Sequence, residues 1–364
     1  MEHRYKVCAY AICKDEEQFA DRWMDHACEA DLVIVTDTGS SDGTVERLRA
    51  RGAQVYRFQC APFRFDASRN FCLDRIPEDV DICVSSDLDD VVEPGWREKL
   101  ENAWQKDTTR GLYLYNWSFR ADGTPAVQYT HQRIHARKNF RWKYPTHEVL
   151  EYTGPGEEKQ VFIDGLVYNH HPDPTKDRGF NLSLLELAAE ENPGDARSLH
   201  YLGREYMFAG EWEKSIDSLV RYLAPGVSAW DEERSASMRF IARCYGHLGN
   251  RYEQKRWLCR AMAETPFLRE PFVEAALLAY EEADWNAVLF FSAEALKITA
   301  RTFRYVNEPY AWDQTPFDLA ALASYRLGLY RQAVAYSKEA LALAPDDDRL
   351  LKNHAYYEEA AGAV

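Results

Sequence analysis

The residues best placed to do chemistry are two carboxylate-rich turns, each directly behind an apolar strand-like run. The first is Asp37-Thr38-Gly39-Ser40-Ser41-Asp42-Gly43-Thr44, after residues 32–36 (LVIVT). A carboxylate ending a strand can accept the N–H of a nucleobase. The glycine and hydroxyl residues behind it let the turn approach a ligand and cap the next helix. The same residues equally suit an ordinary strand–turn–helix corner. The second turn, Ser85-Ser86-Asp87-Leu88-Asp89-Asp90, puts three carboxylates within four residues. Such charges repel, and a hard divalent cation such as Mg²⁺ or Mn²⁺ relieves the repulsion while also holding phosphate oxygens. A solvated acidic turn is the alternative.

Three further segments carry candidate groups. Phe65-Asp66-Ala67-Ser68-Arg69-Asn70 offers Arg69 at a helix start, suited to a base, a phosphate or a surface salt bridge. Tyr144-Pro145-Thr146-His147-Glu148 follows a basic, aromatic stretch and offers a general base or a metal ligand. Asn169-His170-His171-Pro172 offers neutral imidazole to a metal, or is incidental. A base, a diphosphate and a cation together need a carboxylate for the base, a carboxylate pair for the metal and a cationic group nearby, which this set contains.

Positioning these turns requires alternating strands and helices. Strand-like runs fall at Val7–Cys13 and at residues 32–36, 54–58, 82–85 and 112–119, with helical segments at 16–27 and 41–51. Phe19, Trp23 and Ala27 share one helical face. That order predicts a mostly parallel sheet covered by helices, with ligands beyond the carboxyl ends of its strands. The run Pro172-Asp173-Pro174-Thr175-Lys176-Asp177 reads as a linker, giving domains at 1–175 and 176–364.

The second half repeats. Copies at residues 199–225, 238–266 and 317–345, and a weaker one at 271–300, place small residues at helix contacts, glycine at the turn and proline at the end of the stronger copies. The pattern is similar to tetratricopeptide repeats, in which helix pairs must stack to bury their faces. An unrelated α-solenoid is the alternative, and either would present a surface for a peptide or protein.

The formal net charge of −15 argues against long nucleic acid as a partner. The eight cysteines form no Cys-x-x-Cys pair, and scattered thiols fit a reducing compartment. With no apolar run near the roughly 20 residues of a membrane span and no secretory pattern in residues 1–14, a cytoplasmic location is expected.

The ordered elements AICKDEE, VTDTGSSDGT, FDASRN, DLDD, THE and a terminal His resemble family 2 glycosyltransferases of the GT-A fold over residues 5–171. With repeats behind them, the chain also resembles bacterial sublancin-type peptide S-glycosyltransferases. The resemblance implies a Rossmann-like GT-A domain binding a nucleoside-diphosphate sugar, UDP-sugar favoured, with Mn²⁺ or Mg²⁺. It implies that Ile12, Lys14, Glu16, Asp37, Arg69 and Asp87 bind the nucleotide sugar, and that Asp89 and His171 (or His147 or His170) bind the metal. Glu148 would be the base of an inverting transfer to a peptide or protein acceptor held on the repeats, which could also form a homodimer. Two departures are Lys14 before Asp15-Glu16-Glu17, where Asn often precedes the Glu pair, and Asp90 in place of Glu. The competing expectations are a transferase acting on lipopolysaccharide core or another glycan, and a non-catalytic repeat scaffold.

Overall fold

The computed structural model describes residues 4–174 and 181–363. The chain divides into two compact units, Met1–Pro193 and Gly194–Val364. The boundary expected between residues 175 and 176 lies outside the described residues.

In the first unit, β1 (Val7–Cys13), α1 (Glu17–Ala27), β2 (Leu32–Asp37), α2 (Thr44–Ala50), β3 (Gln54–Arg57), α3 (Phe65–Leu73) and β4 (Ile82–Ser85) alternate as the apolar periodicity requires. They are followed by β5 (Asp90–Val92), α4 (Trp96–Ala103), β6 (Arg110–Phe119), β7 (Pro125–Ala136), β8 (Phe140–Lys143), β9 (Val149–Tyr152), β10 (Gln160–His170) and α5 (Asn181–Glu191). Eight strands form one sheet in the order β3-β2-β1-β4-β7-β6-β10-β5, and β8 and β9 form a separate ribbon. Strand β1 is buried along its whole length. Helix α1 buries Phe19, Trp23 and Ala27, and the Trp23 indole N–H donates to Ser86 Oγ at 2.9 Å.

The sheet is mixed but most of its strands are parallel, as expected, with β7 and β5 running against the rest. Strands β1 to β4 pair in parallel, as do β6 and β10, but β7 runs antiparallel to both β4 and β6, and β5 runs antiparallel to β10. The cause is local. The turn between β6 and β7 contains Asp122 and Gly123, with Gly123 at φ +82° and Asp122 accepting from the Thr124 N–H at 2.9 Å. So short a connection allows only antiparallel partners.

The second unit contains α6 (Ala196–Phe208), α7 (Trp212–Tyr222), α8 (Asp231–His247), α9 (Arg251–Glu264), α10 (Glu270–Glu281), α11 (Trp285–Lys297), α12 (Thr315–Arg326), α13 (Tyr330–Leu343) and α14 (Asp348–Gly362). They stack as four successive pairs plus a final helix. Asp195, Asn250 and Asp284 cap α6, α9 and α11 by accepting the backbone N–H of Ser198, Glu253 and Ala287. Each pair turns through a left-handed residue: Gly210, Gly249, Ala283 and Gly328. Ala283 marks why the third copy is weak in sequence, since alanine stands where the others have glycine. Gly203 shows why small residues recur: a Cβ there would lie 2.4 Å from Leu219 Cγ. Besides contacting its partner, each first helix touches the next first helix, α6 with α8, α8 with α10 and α10 with α12. No helix among the described residues is long and apolar enough to cross a membrane.

Candidate functional site

The segment 144–148, helix α3 and the loop after β4 bring four charged side chains together. Arg69 on α3 is 2% exposed. Its Nε donates to Glu148 Oε1 at 2.6 Å and its Nη2 to Asp87 Oδ1 at 2.5 Å. Arg133 on β7 donates from Nη1 to the other Asp87 oxygen at 2.6 Å and lies 3.7 Å from Glu148 Oε1. Two guanidinium groups thus alternate with two carboxylates. Trp142 on β8 supports both cations, with its ring 4.9 Å from Arg69 and 5.8 Å from Arg133. Asn70 fixes this wall by exchanging two hydrogen bonds with the Trp142 backbone, at 2.8 and 3.0 Å.

The backbone beside Glu148 is unusual. Tyr144 (φ +80°) and His147 (φ +49°) both adopt left-handed conformations. Neither side chain favours that region, and such strain persists only where surrounding contacts hold it. One such contact is the Pro145 carbonyl, which accepts from the Phe65 N–H at the start of α3 at 2.9 Å.

The acidic turn divides into three roles. Burial would raise the Asp87 carboxyl, but Arg133 and Arg69 outweigh it and hold the group well below the usual carboxylate range. Burial first, and then the charges of Asp87 and Asp89, push Asp90 up to about 7 against the hydrogen bond that Tyr115 donates at 2.6 Å. Asp89 meets His170, Oδ2 to Nε2 at 3.2 Å. Burial opposes charge on His170, but the hydrogen bond and charge of Asp89 prevail and raise it.

His170 also stacks on Trp117 with ring centroids 4.3 Å apart, and its Nδ1 lies 3.1 Å from the Trp117 carbonyl. His171 stacks instead on Phe119 at 5.1 Å, while its backbone N–H donates to the Asp89 carbonyl at 3.0 Å. Burial, Arg22 and His170 lower its pKa. The histidine ring that meets Asp89 is therefore that of His170, not His171.

The remaining sequence candidates lie at the ends of β1 and β2 and in the turns behind them. Asp37 accepts the Ser40 N–H at 2.8 Å and sits 3.6 Å from Arg57. Asp15 accepts from Ser41, and Asp42 from Thr44. Glu16 precedes α1, with its N–H donating to Thr44 Oγ1. Ile12 is buried within β1, and Lys14 is exposed just after it. None of these residues joins the Arg69 cluster through a contact described above.

Reasoning from sequence missed Arg133. Its only signal is register: pairing of Val84 with Ile134 places residue 133 beside the end of β4. Asp90 belonged to a recognised motif but was not singled out, because its perturbation depends on Tyr115 from a distant strand.

The carboxylates expected to hold a metal are divided between different partners. Among the described residues, no group of three or more His, Cys, Asp or Glu side chains could hold an ion. Both Asp87 oxygens are engaged by arginines, leaving Asp89 and His170 as a pair.

No family model matches the chain, and no curated protein matches it. Solved structures similar to it include MamA, at 16% identity and TM-score 0.37, covering 46% of this chain and 89% of that one. The pilF protein of Pseudomonas aeruginosa is 12% identical, with TM-score 0.38 and coverage of 49% and 72%. A tetratricopeptide repeat protein from Parabacteroides merdae ATCC 43184 is 15% identical, with TM-score 0.37 and coverage of 50% and 66%. None of these is a glycosyltransferase. With no family model and no curated protein matching, the resemblance to family 2 glycosyltransferases and their sublancin-type group is overturned as a family assignment, together with the Asp-x-Asp metal motif it implied. For the Asp-x-Asp motif the turn gives a physical reason: both Asp87 oxygens meet arginines.

Proposed function

We propose that the chain is a scaffold whose repeat unit binds a protein or peptide partner. The observation that carries this reading is the unbroken contact of first helix with first helix from α6 to α12. Such stacking builds an extended surface out of nearest-neighbour contacts. Large aromatic side chains remain exposed at the ends of first helices, Phe208 on α6 and Tyr280 on α10. Affinity capture with the intact chain, followed by chemical crosslinking, tests the reading. Crosslinks from a stoichiometric partner should map to the first helices. A partner mapping only to residues 4–174 would refute it.

A second reading is favoured by the Arg69–Asp87–Arg133–Glu148 cluster. Buried, strongly perturbed charges near the carboxyl end of a strand are a recognised setting for ligand chemistry. We infer that this cluster could support the transfer expected from the sequence, a hexose moved with inversion from a diphosphate carrier. The bond from acceptor to anomeric carbon would form as the bond to phosphate breaks. Glu148 would receive the acceptor's proton, and Arg69 and Arg133 would face the departing anion. No step is assigned to a metal. Calorimetric titration with nucleoside diphosphates and nucleotide sugars, with and without Mn²⁺, tests it. Binding lost in Arg133→Ala but kept in Glu148→Gln would support it, and no binding by any of these compounds to the intact chain would dismiss it.

A further inference from the structure

The connection between α11 and α12 spans residues 298–314, whereas α9 reaches α10 in five residues. Its length is used in a specific way: it lies against the first helices of three successive pairs. Tyr305 OH shares a hydrogen bond of 3.0 Å with His200 on α6. Arg304 lies 3.5 Å from Glu232 at the start of α8. Tyr310 OH donates to Glu274 Oε1 on α10 at 2.6 Å and accepts from Arg239 Nη1 on α8 at 3.0 Å. The Trp312 indole N–H donates to Glu270 Oε1 at 3.2 Å.

These contacts are those of an extended peptide on a receptor: tyrosine hydroxyls, one cation and one indole N–H, each meeting a polar partner on a different turn of helix. Ala311 of the segment also packs, fully buried, beside Val273 of α10 and Ala295 of α11, while α8 and α10 have polar contacts of their own. Arg239 and Arg243 both reach Glu274, at 2.6 and 2.8 Å, so α8 and α10 are joined by their own ion pairs. Glu274 is held at about 2, since Arg239 and Arg243 overcome the effect of burial. It is therefore a fixed anion paired with both arginines, and Tyr310 adds a further donor.

We propose that the first-helix face of α6, α8 and α10 is a groove for an extended peptide rich in tyrosine and bearing a cation, and that residues 299–314 occupy it as an intramolecular ligand. A partner of the same chemistry must displace this segment to bind. The proposal deepens the scaffold reading and rests on it for the existence of a partner. The groove itself is testable without one.

The probe is a fluorescent synthetic peptide of residues 299–314. The receptor is the full chain with residues 300–312 replaced by a Gly/Ser linker of equal length. The peptide should bind this variant at least tenfold more tightly than it binds the intact chain, and a Tyr310→Ala peptide should lose that gain. Equal binding to both chains, or no binding to a variant that keeps its helical signal, overturns the proposal. Should the linker variant not fold, hydrogen exchange on the full chain carrying Arg304→Ala and Tyr305→Phe decides. Faster exchange confined to residues 299–308 supports a displaceable ligand. An equal rise across α8 and α10 shows an integral part of the core and overturns it. Absence of any captured partner with positive peptide binding would count against the scaffold reading alone.

Discussion

The two units bury charge in opposite ways. In the α/β unit, Arg69 reaches partners 18 and 79 positions away, and Arg133 reaches back 46 positions to Asp87. In the repeat unit, ion pairs between helices recur at about one repeat: Arg234 to Glu264, Arg243 to Glu274 and Arg239 to Glu274 are separated by 30, 31 and 35 positions. The first arrangement depends on sheet topology and collapses as a whole. The second depends on neighbours and can be weakened one interface at a time.

Substitution should expose that contrast. The largest effect is expected for Arg69→Leu, which leaves Glu148 and Asp87 with one shared cation. Removing one partner of a buried pair costs about 3–5 kcal/mol. Hydrogen exchange should show protection lost across β1, β4 and β7 while α8 to α13 keep theirs. Loss confined to α3 would break the comparison.

Gly203→Ala should cost about 1–3 kcal/mol, because the added methyl meets Leu219. Its effect on exchange should centre on α6 and α7 and fade by α10. Uniform loss through α14 would show that the repeats do not act as neighbours.

Ala283→Gly should act in the other direction. Relief of a left-handed alanine is worth about 1 kcal/mol. A gain in denaturation midpoint, with α10 and α11 the most affected, checks it, and a loss would refute the strain.

The smallest expected effect is a pH trend. Asp90 is raised in the folded chain to about 7, above its unfolded value of roughly 3.9. Its folded form therefore holds an extra proton between those values. Its contribution is present at acid pH and is lost as pH rises through about 7. Asp90→Asn should flatten the fall in melting temperature between pH 5.5 and 8, each kcal/mol corresponding to about 2–4 °C for a unit of this size. An unchanged slope would remove Asp90 from the account.

Sequence alone singles out Arg69, Asp87 and Glu148 in three separate motifs, and the fold brings them into contact. It does not distinguish His170 from His171, because strand parity decides which ring reaches Asp89, and parity depends on where β10 pairs. It does not reveal Arg133, whose neighbours come from another strand's register. Asp122 and Gly123 carry a turn signal that explains why β7 runs antiparallel to β6, yet a reading focused on strand–helix alternation passes over it. The repeats are the most legible part, since their contacts are local and recur with the small residues at Gly203, Ala242 and Ala321. The long connection before α12 left no periodic trace, being held by scattered polar contacts and by isolated buried residues such as Ala311.

The scaffold reading is tested most directly by titrating the captured partner against three full-length chains: the native sequence, Phe208→Ser with Tyr280→Ser, and Glu148→Gln. The account predicts that the double variant weakens binding at least tenfold while Glu148→Gln leaves it unchanged. Full affinity in the double variant with loss in Glu148→Gln would place the partner on the α/β unit and contradict the account.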